Sequence, residues 1–455
     1  MTLAKRRLLY FIFIGAFCII TPLVILYANG YQLSFSKKAL VKTGMLIVDT
    51  YPQNAEIKLD LQSQTSLINR LLSLNDRIAT PAKVKNLIPG EYAVQFSLPG
   101  YWTWKKMLQI KPGESTYAED VTLFRQVQPR LLSAGEKTAL AASPDAKLFL
   151  ATGHKTAEVF DGEMQTVVAS SSASSSAKAI WSSDGKLALA GETLIRPGQD
   201  TQDINIEKIL GKNISNAKWS GSNGSILFYH IGNQVFQYDI NEQKSVTLFS
   251  ESAIPQTLKG LPLLDFVHIG DKLYLSFYRQ AKSIVVQYDL GSGAAIRETA
   301  IPSSKEVAFI NYDQGHVNLL DRASGNLHLL NFDNYYPLED TISNITNGYW
   351  ASEDRLLGWN ESEIFIYEKN IKQKNLLTRV ARPVRQVLWH SSNNYVIYAT
   401  DNEITSFELD DRDRHNTIVL AEGENIKSIA LDKKSTMLYI IGKIQGQPGL
   451  FSLEL

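Results

Sequence analysis

The 455-residue sequence contains a single cysteine, Cys18, which lies in an apolar N-terminal run. Disulfide bonds within the chain and cysteine-based metal sites are therefore excluded. There are 46 lysine and arginine residues and 46 aspartate and glutamate residues, giving a formal charge of +0. Because a chain without a basic surplus lacks the electrostatic attraction that nucleic-acid binders use, we expect no DNA or RNA partner.

The common catalytic motifs are missing as well. The sequence has no G-x-S-x-G, no H-E-x-x-H and no P-loop, so hydrolases, zinc proteases and nucleotide-phosphate enzymes of those types lack their minimal parts. The acidic pair Asp410-Asp411 is typical of a solvated turn. We expect no catalytic, cofactor-binding or metal-binding residues; a catalytic site assembled from several repeats is the alternative. The seven histidines are scattered without ligand spacing: His154, His230, His268, His316, His328, His390 and His415.

The N-terminus has the pattern of a membrane anchor. Lys5, Arg6 and Arg7 precede an uncharged apolar run from Leu8 to Ala28. About 20 helical residues cross the ~30 Å hydrocarbon layer, so the run is long enough to span it. The basic cluster should stay in the cytoplasm, which predicts a single-pass cell-membrane protein with the rest of the chain outside. A cleaved signal peptide is the alternative, but "LYA" before Asn29 is a poor cleavage site.

A small β-domain is expected after the anchor (1–28) and a juxtamembrane linker (29–43). In "NAEIKLD", Ala55, Ile57 and Leu59 fall on one face, the alternation of a half-buried strand. In "EYAVQFSL" the side chains predicted to face inward are those of Tyr92, Val94, Phe96 and Leu98. A Pro-Gly pair stands before this strand and another after it, where proline presets one turn dihedral and glycine accepts a positive φ. The pattern predicts a small antiparallel sheet or sandwich.

Residues 44–124 resemble the PEGA domain, a small β-module of bacterial and archaeal surface proteins. The resemblance lies in "GMLIVDTYPQNA", "ATPAKVKNLIPGEYAVQFSLPGY" and "IKPGESTYAEDVTL". Asn54 replaces the glycine of the namesake turn and tolerates left-handed backbone. An insertion at 61–78 replaces the usual hairpin, and its spacing predicts a short amphipathic helix with one apolar face formed by Leu67, Ile68, Leu71 and Leu72.

Three aromatic residues follow the second Pro-Gly pair: Tyr101, Trp102 and Trp104. Flat aromatic rings stack on sugars and other amphipathic ligands, so these residues are the candidate ligand-stacking site. Burial of Tyr101 or Trp104 in the core of the module is the competing interpretation, with one ring left exposed.

Residues 125–455 contain internal repeats of a strand, a polar turn and a second strand. Clear copies are "LAASPDAKLFLAT", "AIWSSDGKLALAG", "AKWSGSNGSILFYH", "YWASEDRLLGW", "VLWHSSNNYVIYAT" and "IALDKKSTMLYIIG". A third strand ending in an aromatic-acid pair follows several of them, as in Tyr238-Asp239, Tyr288-Asp289 and Phe332-Asp333. The period of about 40 residues is typical of a four-stranded propeller blade.

Eight such units can be counted, which favours an eight-bladed β-propeller over a seven-bladed one. They start near Ala139, Lys178, Ala217, Leu264, Val307, Tyr349, Val387 and Ile429. The segment "VQPRLLSA", Val127 to Ala134, could supply an outer strand that the C-terminal unit lacks and so close the ring. The turns "SPDA" and "WSSDG" resemble those of TolB-type bacterial propellers, whereas the repeats do not show the combination of Gly-His and Trp-Asp pairs that marks strict WD40 repeats.

The whole pattern predicts a mainly β, membrane-anchored protein of the cell envelope. The leading hypothesis is a non-catalytic binding or scaffold protein whose propeller presents a binding face to an unknown envelope protein or cell-wall glycan, because loops on a rigid frame commonly carry binding residues. A propeller hydrolase or lyase acting on cell-wall polymers is one alternative, and a carbohydrate-binding envelope protein is another. No cofactor is expected.

Overall fold

A computed structural model describes residues 3–34, 39–61, 78–172, 179–198, 204–210, 215–253, 255–310 and 317–455. The fold is mainly β. The chain divides into two compact units. The first unit contains Met1–Val127 together with Phe407–Ile418, and the second contains Gln128–Ser406 and Val419–Leu455.

The N-terminal helix α1 spans Leu3–Ala28. Its stretch Tyr10–Ala28 has a mean hydropathy of 2.5 and none of it is buried by the rest of the protein. Its length and composition suit either a membrane anchor or a signal sequence. A hairpin of β1 (Tyr31–Ser34) and β2 (Ala39–Lys42) follows, in the stretch expected to be a linker.

Six further strands form two three-stranded sheets in the first unit. They are β3 (Gly44–Tyr51), β4 (Glu56–Leu61), β5 (Ala82–Leu87), β6 (Gly90–Ser97), β7 (Trp104–Ile110) and β8 (Ser115–Thr122). The sheet orders are β5-β3-β8 and β4-β6-β7. The prediction of an antiparallel domain is wrong at one pair, since β3 and β8 run parallel. The chain between them passes through the other sheet, and such a crossover returns a strand in the same direction. The predicted helix within 61–78 falls almost wholly on residues 62–77, which lie outside the described residues.

The two sheets share one hydrophobic core, and the alternation read from the sequence is confirmed. Ala55 and Ile57 of the first predicted strand are buried in this core. From β6, Tyr92, Val94 and Phe96 are buried there, with Leu98 packed against it. Asn54 has φ 70°, so it holds the left-handed conformation expected at that turn.

The described residues of the second unit form eight four-stranded sheets. The strand that comes first in the chain, β9 (Arg130–Ala134), belongs to the eighth sheet. The first sheet is β10 (Lys137–Ala142), β11 (Leu148–Gly153), β12 (Thr156–Asp161) and β13 (Thr166–Ser172). The second is β14 (Ala179–Trp181), β15 (Ala188–Ala190), β16 (Thr193–Ile195) and β17 (Ile204–Asn205), followed by helix α2 (Ile206–Leu210). The third is β18 (Ser215–Trp219), β19 (Ile226–Ile231), β20 (Gln234–Asp239) and β21 (Lys244–Phe249).

After two 3₁₀ turns, Glu251–Ala253 and Gln256–Leu258, the remaining sheets follow the same order. The fourth is β22 (Leu263–Ile269), β23 (Lys272–Arg279), β24 (Lys282–Asp289) and β25 (Ala294–Pro302). The fifth is β26 (Val307–Ile310), β27 (Val317–Asp321), β28 (Asn326–Leu330) and β29 (Leu338–Ser343). The sixth is β30 (Asn347–Trp350), β31 (Arg355–Trp359), β32 (Glu363–Glu368) and β33 (Gln373–Arg379). The seventh is β34 (Gln386–Trp389), β35 (Tyr395–Ala399), β36 (Glu403–Glu408) and β37 (Thr417–Glu422). The eighth is β38 (Glu424–Leu431), β39 (Met437–Ile444), β40 (Gln447–Glu454) and β9.

The repeated sequence signals have simple structural roles. In the first hairpin of the second sheet, the Ser182 hydroxyl accepts the backbone N–H of Leu187 at 2.9 Å and donates to Asp184 at 2.7 Å. At the end of the third strand of the third sheet, Tyr238 is buried and Asp239 accepts the backbone N–H of Asn241 at 2.8 Å. The hydroxyl and carboxylate groups therefore close turns, while the aromatic ring fills the core.

Neighbouring sheets in the chain pack against one another, and the eighth packs against the first. Phe149 of the first sheet and Tyr439 of the eighth share one hydrophobic cluster, with ring centroids 4.0 Å apart. The pairing of β9 with β40, in which Leu131 faces Phe451, confirms that the segment before the first repeat completes the C-terminal sheet. This pairing covers the outer edge of β40.

Candidate binding groove

The aromatic residues singled out in the sequence have different environments in the first unit. Trp104 is 2% exposed and stacks on Phe96, with ring centroids 4.8 Å apart, so its ring offers no face to a ligand. Tyr101 is half-buried, and its hydroxyl accepts a hydrogen bond from Arg125 at 3.0 Å. Trp102 is 37% exposed. Of the three rings, only that of Trp102 is exposed.

A buried polar cluster surrounds Trp104, and sequence reasoning missed it. The indole Nε1–H donates to Glu408 at 2.8 Å. The Lys106 ammonium group is fully buried and forms ion pairs with Glu408 at 2.9 Å and Asp410 at 3.3 Å. Burial raises the pKa of Asp410, but hydrogen bonds from Arg412 and the charge of Lys106 outweigh it, leaving the pKa at about 2. The acid pair expected to be solvated therefore places one carboxylate against a buried lysine.

The second unit also pairs its buried ionisable groups internally. Lys218 of β18 forms an ion pair with Asp265 of β22 at 2.9 Å, and both side chains are buried. The second oxygen of Asp265 accepts the backbone N–H of Phe309 at 2.7 Å. In the described part of the chain, no group of three or more His, Cys, Asp or Glu side chains could hold a metal ion. The Asp265 carboxylate therefore joins neighbouring sheets of the second unit.

The candidate binding site is a groove at the outer strands of the fifth and sixth sheets. It has a volume of about 530 Å³. We call it the tyrosine groove and define it by Asn334, Tyr335, Tyr336, Glu339, Lys369 and Lys372. Tyr335 is 82% exposed and Tyr336 is 78% exposed, the highest values among the large hydrophobic side chains that the structure describes. Their rings meet nearly at right angles, at 89°, with centroids 4.8 Å apart.

The loop that carries the two tyrosines is held in place by hydrogen bonds. It joins β28 to β29, and the Asn331 N–H donates to the Pro337 carbonyl at 2.7 Å, across its base. The Glu339 carboxylate accepts hydrogen bonds from the side-chain amides of Asn331 at 3.0 Å and Asn334 at 3.1 Å. From β25, Arg297 donates to the backbone carbonyl of Tyr335 at 3.4 Å. The tyrosine rings thus stand in solvent on a fixed backbone.

The opposite wall of the groove comes from the turn between β32 and β33. Lys372 donates to the Glu339 backbone carbonyl at 2.9 Å, and Lys369 lies 3.6 Å from the Glu339 carboxylate. The Tyr367 hydroxyl donates to Asp340. Burial and this hydrogen bond raise the pKa of Tyr367, so its hydroxyl stays protonated at neutral pH. The charged side chains that line the groove therefore already have partners within the protein.

Another cavity of about 640 Å³ lies at the hairpins of the second and third sheets. Its lining includes Asp184, Lys186 and Arg196. The Asp184 carboxylate already accepts hydrogen bonds from Ser182 at 2.7 Å and from the Lys186 backbone N–H at 3.1 Å. Since no aromatic ring is among its described lining residues, the tyrosine groove is the stronger candidate.

No protein-family model and no curated protein sequence matches the chain. Solved structures do match it. The C-terminal WD40 domain of Sif2 has a TM-score of 0.52 at 11% identity, covering 72% of this chain and 99% of that one. The fold is that of a β-propeller.

Two further solved structures are similar to the chain. The Dos1 propeller has a TM-score of 0.50 at 12% identity, with 72% of this chain and 94% of that chain covered. Dihydro-heme d1 dehydrogenase NirN in complex with DHE has a TM-score of 0.51 at 12% identity, with 70% and 76% covered. Because a WD40 domain and a dehydrogenase both share this architecture, the likeness establishes the fold and leaves the function to the site.

Proposed function

We propose that this protein is a non-catalytic binding or scaffold protein, anchored in the cell membrane by α1, whose propeller binds its partner through the tyrosine groove. The observation that carries the proposal is the exposure of Tyr335 and Tyr336 side by side on a fixed loop. Tyrosine is enriched among residues that dominate binding energies, because a rigid ring supplies a large contact area at low entropic cost.

A prearranged loop favours binding over a purely structural role for these rings. The hydrogen bonds from Asn331, Asn334 and Arg297 hold the backbone before any partner arrives. Binding therefore costs little ordering entropy. The buried ionisable groups described above, Lys106 with Glu408 and Lys218 with Asp265, are engaged with each other, which supports a non-catalytic role.

We further propose that the eight sheets of the second unit are the blades of one closed ring. Packing of the eighth sheet against the first and the pairing of β9 with β40 support this proposal. The first unit would act as a PEGA-like stalk of a bacterial envelope protein, on the resemblance seen in its sequence. A closed ring is a rigid support for loops such as the one that carries Tyr335.

The proposed topology places Lys5, Arg6 and Arg7 in the cytoplasm and everything after Ala28 outside the cell. The lone cysteine makes a direct test simple, because Cys18→Ser gives a cysteine-free background. In that background, a membrane-impermeant maleimide should label Lys186→Cys in intact cells. It should label Lys5→Cys only after permeabilisation. The reverse pattern would overturn the topology.

The binding role is tested by photo-crosslinking from the groove. A benzophenone amino acid replaces Tyr336 in the full-length chain, in membranes of the source cells. Its matched control replaces Val167, an exposed residue on β13 of the first sheet. Ultraviolet light should give a discrete crosslinked species from position 336 and none from position 167. Equal crosslinking from the two positions, or none from either, would refute the groove as the binding face.

A further inference from the structure

We propose that the tyrosine groove binds a neutral oligosaccharide. The inference rests on the proposed binding function and specifies the ligand class. The two tyrosine rings lie at 89° to each other, so they present two apolar faces that are nearly perpendicular. This arrangement suits a sugar chain in which successive sugar rings are rotated relative to one another. Aromatic rings combine an apolar face with a polar hydroxyl, matching the apolar C–H face and the hydroxyl rim of a sugar.

The polar side chains around the rings suit sugar hydroxyls. Asn334 donates one hydrogen bond to Glu339, which fixes the orientation of its amide group beside the rings. Asn370 also lines the groove, and in the described part of the chain its side chain has no hydrogen bond. An amide offers both donors and an acceptor, and a sugar hydroxyl can use either.

The charges of the groove favour a neutral ligand over an anionic one. Lys369 and Lys372 contribute two positive charges, and Glu339 and Asp340 contribute two negative charges. Lys369 faces the Glu339 carboxylate, and Lys372 donates to a backbone carbonyl of the same residue. An acidic polymer would have to compete with these internal contacts, whereas a neutral one leaves them intact.

An extended peptide is less suited to this site. Peptides commonly bind by adding a strand to an exposed sheet edge, and β29 is the edge strand of the fifth sheet. Lys372 and Lys374 cap the backbone carbonyls of Glu339 and Ser343 along this strand, at 2.9 and 2.8 Å. Lysines placed in this way block edge pairing.

Binding is measured on the full-length chain in nanodiscs, because many detergents carry sugar headgroups that would compete. An array of neutral and acidic oligosaccharides is screened first. Calorimetry then uses tri-N-acetylchitotriose, maltotriose and the best neutral array ligand, with trigalacturonate as the acidic comparison. We expect at least one neutral oligosaccharide to bind at least about tenfold more tightly than trigalacturonate.

The variants separate stacking from general stability. Tyr335→Ala and Tyr336→Ala should each weaken binding of the neutral ligand by about tenfold, and the Phe variants by no more than about threefold, because phenylalanine keeps the stacking face. Trp102→Ala and Tyr51→Ala remove exposed rings of the first unit and should leave the affinity unchanged. Since both groove tyrosines are largely exposed, their replacement should leave the melting temperature of the protein unchanged.

The outcomes distinguish this inference from the proposed function. If no neutral oligosaccharide binds but Tyr336 still crosslinks to a protein, the sugar inference is wrong and the binding function stands. If no neutral oligosaccharide binds and position 336 gives no crosslink, both the sugar inference and the proposed binding function are wrong. Loss of sugar binding in Trp102→Ala but not in Tyr336→Ala would place the site in the first unit and refute the groove.

Discussion

Lys218 and Asp265 form a buried ion pair between the first strands of the third and fourth sheets, with the Nζ and Oδ1 atoms 2.9 Å apart. Lys218 also donates to the backbone carbonyl of Phe266. The same carboxylate accepts the Phe309 N–H from the fifth sheet. One aspartate therefore links three successive sheets of the propeller.

We predict that Asp265→Ala lowers the free energy of unfolding by about 3–5 kcal/mol, because it leaves the Lys218 charge buried without its carboxylate. The measurement is urea denaturation followed by tryptophan fluorescence. Glu424→Ala is the matched control, since it breaks the solvent-exposed pair with Lys443 at 2.7 Å and should cost less than about 1 kcal/mol. The double variant Lys218→Met/Asp265→Leu should recover part of the loss, because it removes the uncompensated charge but still leaves the Phe309 N–H without this acceptor. Equal losses in Asp265→Ala and Glu424→Ala would contradict this account.

Trp104→Phe should destabilise the first unit by about 1.5–3 kcal/mol. The replacement keeps a ring that can stack on Phe96 but removes the donor to the buried Glu408 carboxylate, and hydrogen bonds to charged groups are worth about this much. Trp102→Phe, at an exposed ring, should change stability by no more than about 0.5 kcal/mol. The two variants are compared by denaturation under the same conditions. A larger loss of stability in Trp102→Phe than in Trp104→Phe would contradict the assignment of Trp104 as the buried, hydrogen-bonded ring.

Local patterns in the sequence predicted the local structure well. Alternation placed Val94 and Phe96 in the core, and Asn54 has the expected positive φ. The serine and acidic residues of the repeats predicted hairpins because they hydrogen-bond within a few residues of themselves, as Ser182 does with Leu187. Because these hydrogen bonds join residues that are close in the chain, the pattern that produces them can be recognised in a single sequence.

Contacts between distant residues were not predictable in this way. Trp104 and Glu408 are 304 positions apart, so no local pattern in the sequence connects them. The parallel pairing of β3 with β8 likewise depends on the path of the chain between them. Tyr335 and Tyr336 follow the pair Phe332-Asp333 in a loop, and their exposure depends on how Glu339 pins that loop. The signal in the sequence that could have indicated the groove was the presence of two adjacent tyrosines in a polar loop.

His390 should make the stability of the second unit depend on pH. Burial lowers the pKa of His390 to about 4, against the opposing effects of the Ser435 backbone and the Asp432 charge. The unfolded chain binds a proton near pH 6.5 and the folded chain only near pH 4, so protonation favours unfolding. The stabilisation is complete above pH 6.5 and is lost as the pH falls towards 4, by up to about 3 kcal/mol.

The test compares urea unfolding of the wild type and His390→Asn from pH 7 to pH 4. Asparagine keeps an acceptor for the Ser392 N–H, which His390 Nδ1 accepts at 3.2 Å. Burial also lowers the pKa values of His268 and His328, and both proteins share that background slope. The variant should lose less stability on acidification than the wild type. Parallel curves for the two proteins would rule out His390 as the source.

Gly449→Ala should loosen the strand that completes the eighth sheet. A Cβ atom at position 449 would lie 2.5 Å from the Ser133 carbonyl oxygen and 2.6 Å from Leu131 Cδ1, so β9 has to move away from β40. Overpacking of this kind costs about 1–3 kcal/mol. Gly221→Ala is the matched control, because nothing lies within 4 Å of its added Cβ atom. Hydrogen exchange of the Arg130–Ala134 amides should accelerate in Gly449→Ala and stay at the wild-type rate in Gly221→Ala. Unchanged protection of these amides in Gly449→Ala would mean that β9 is not held by this close contact.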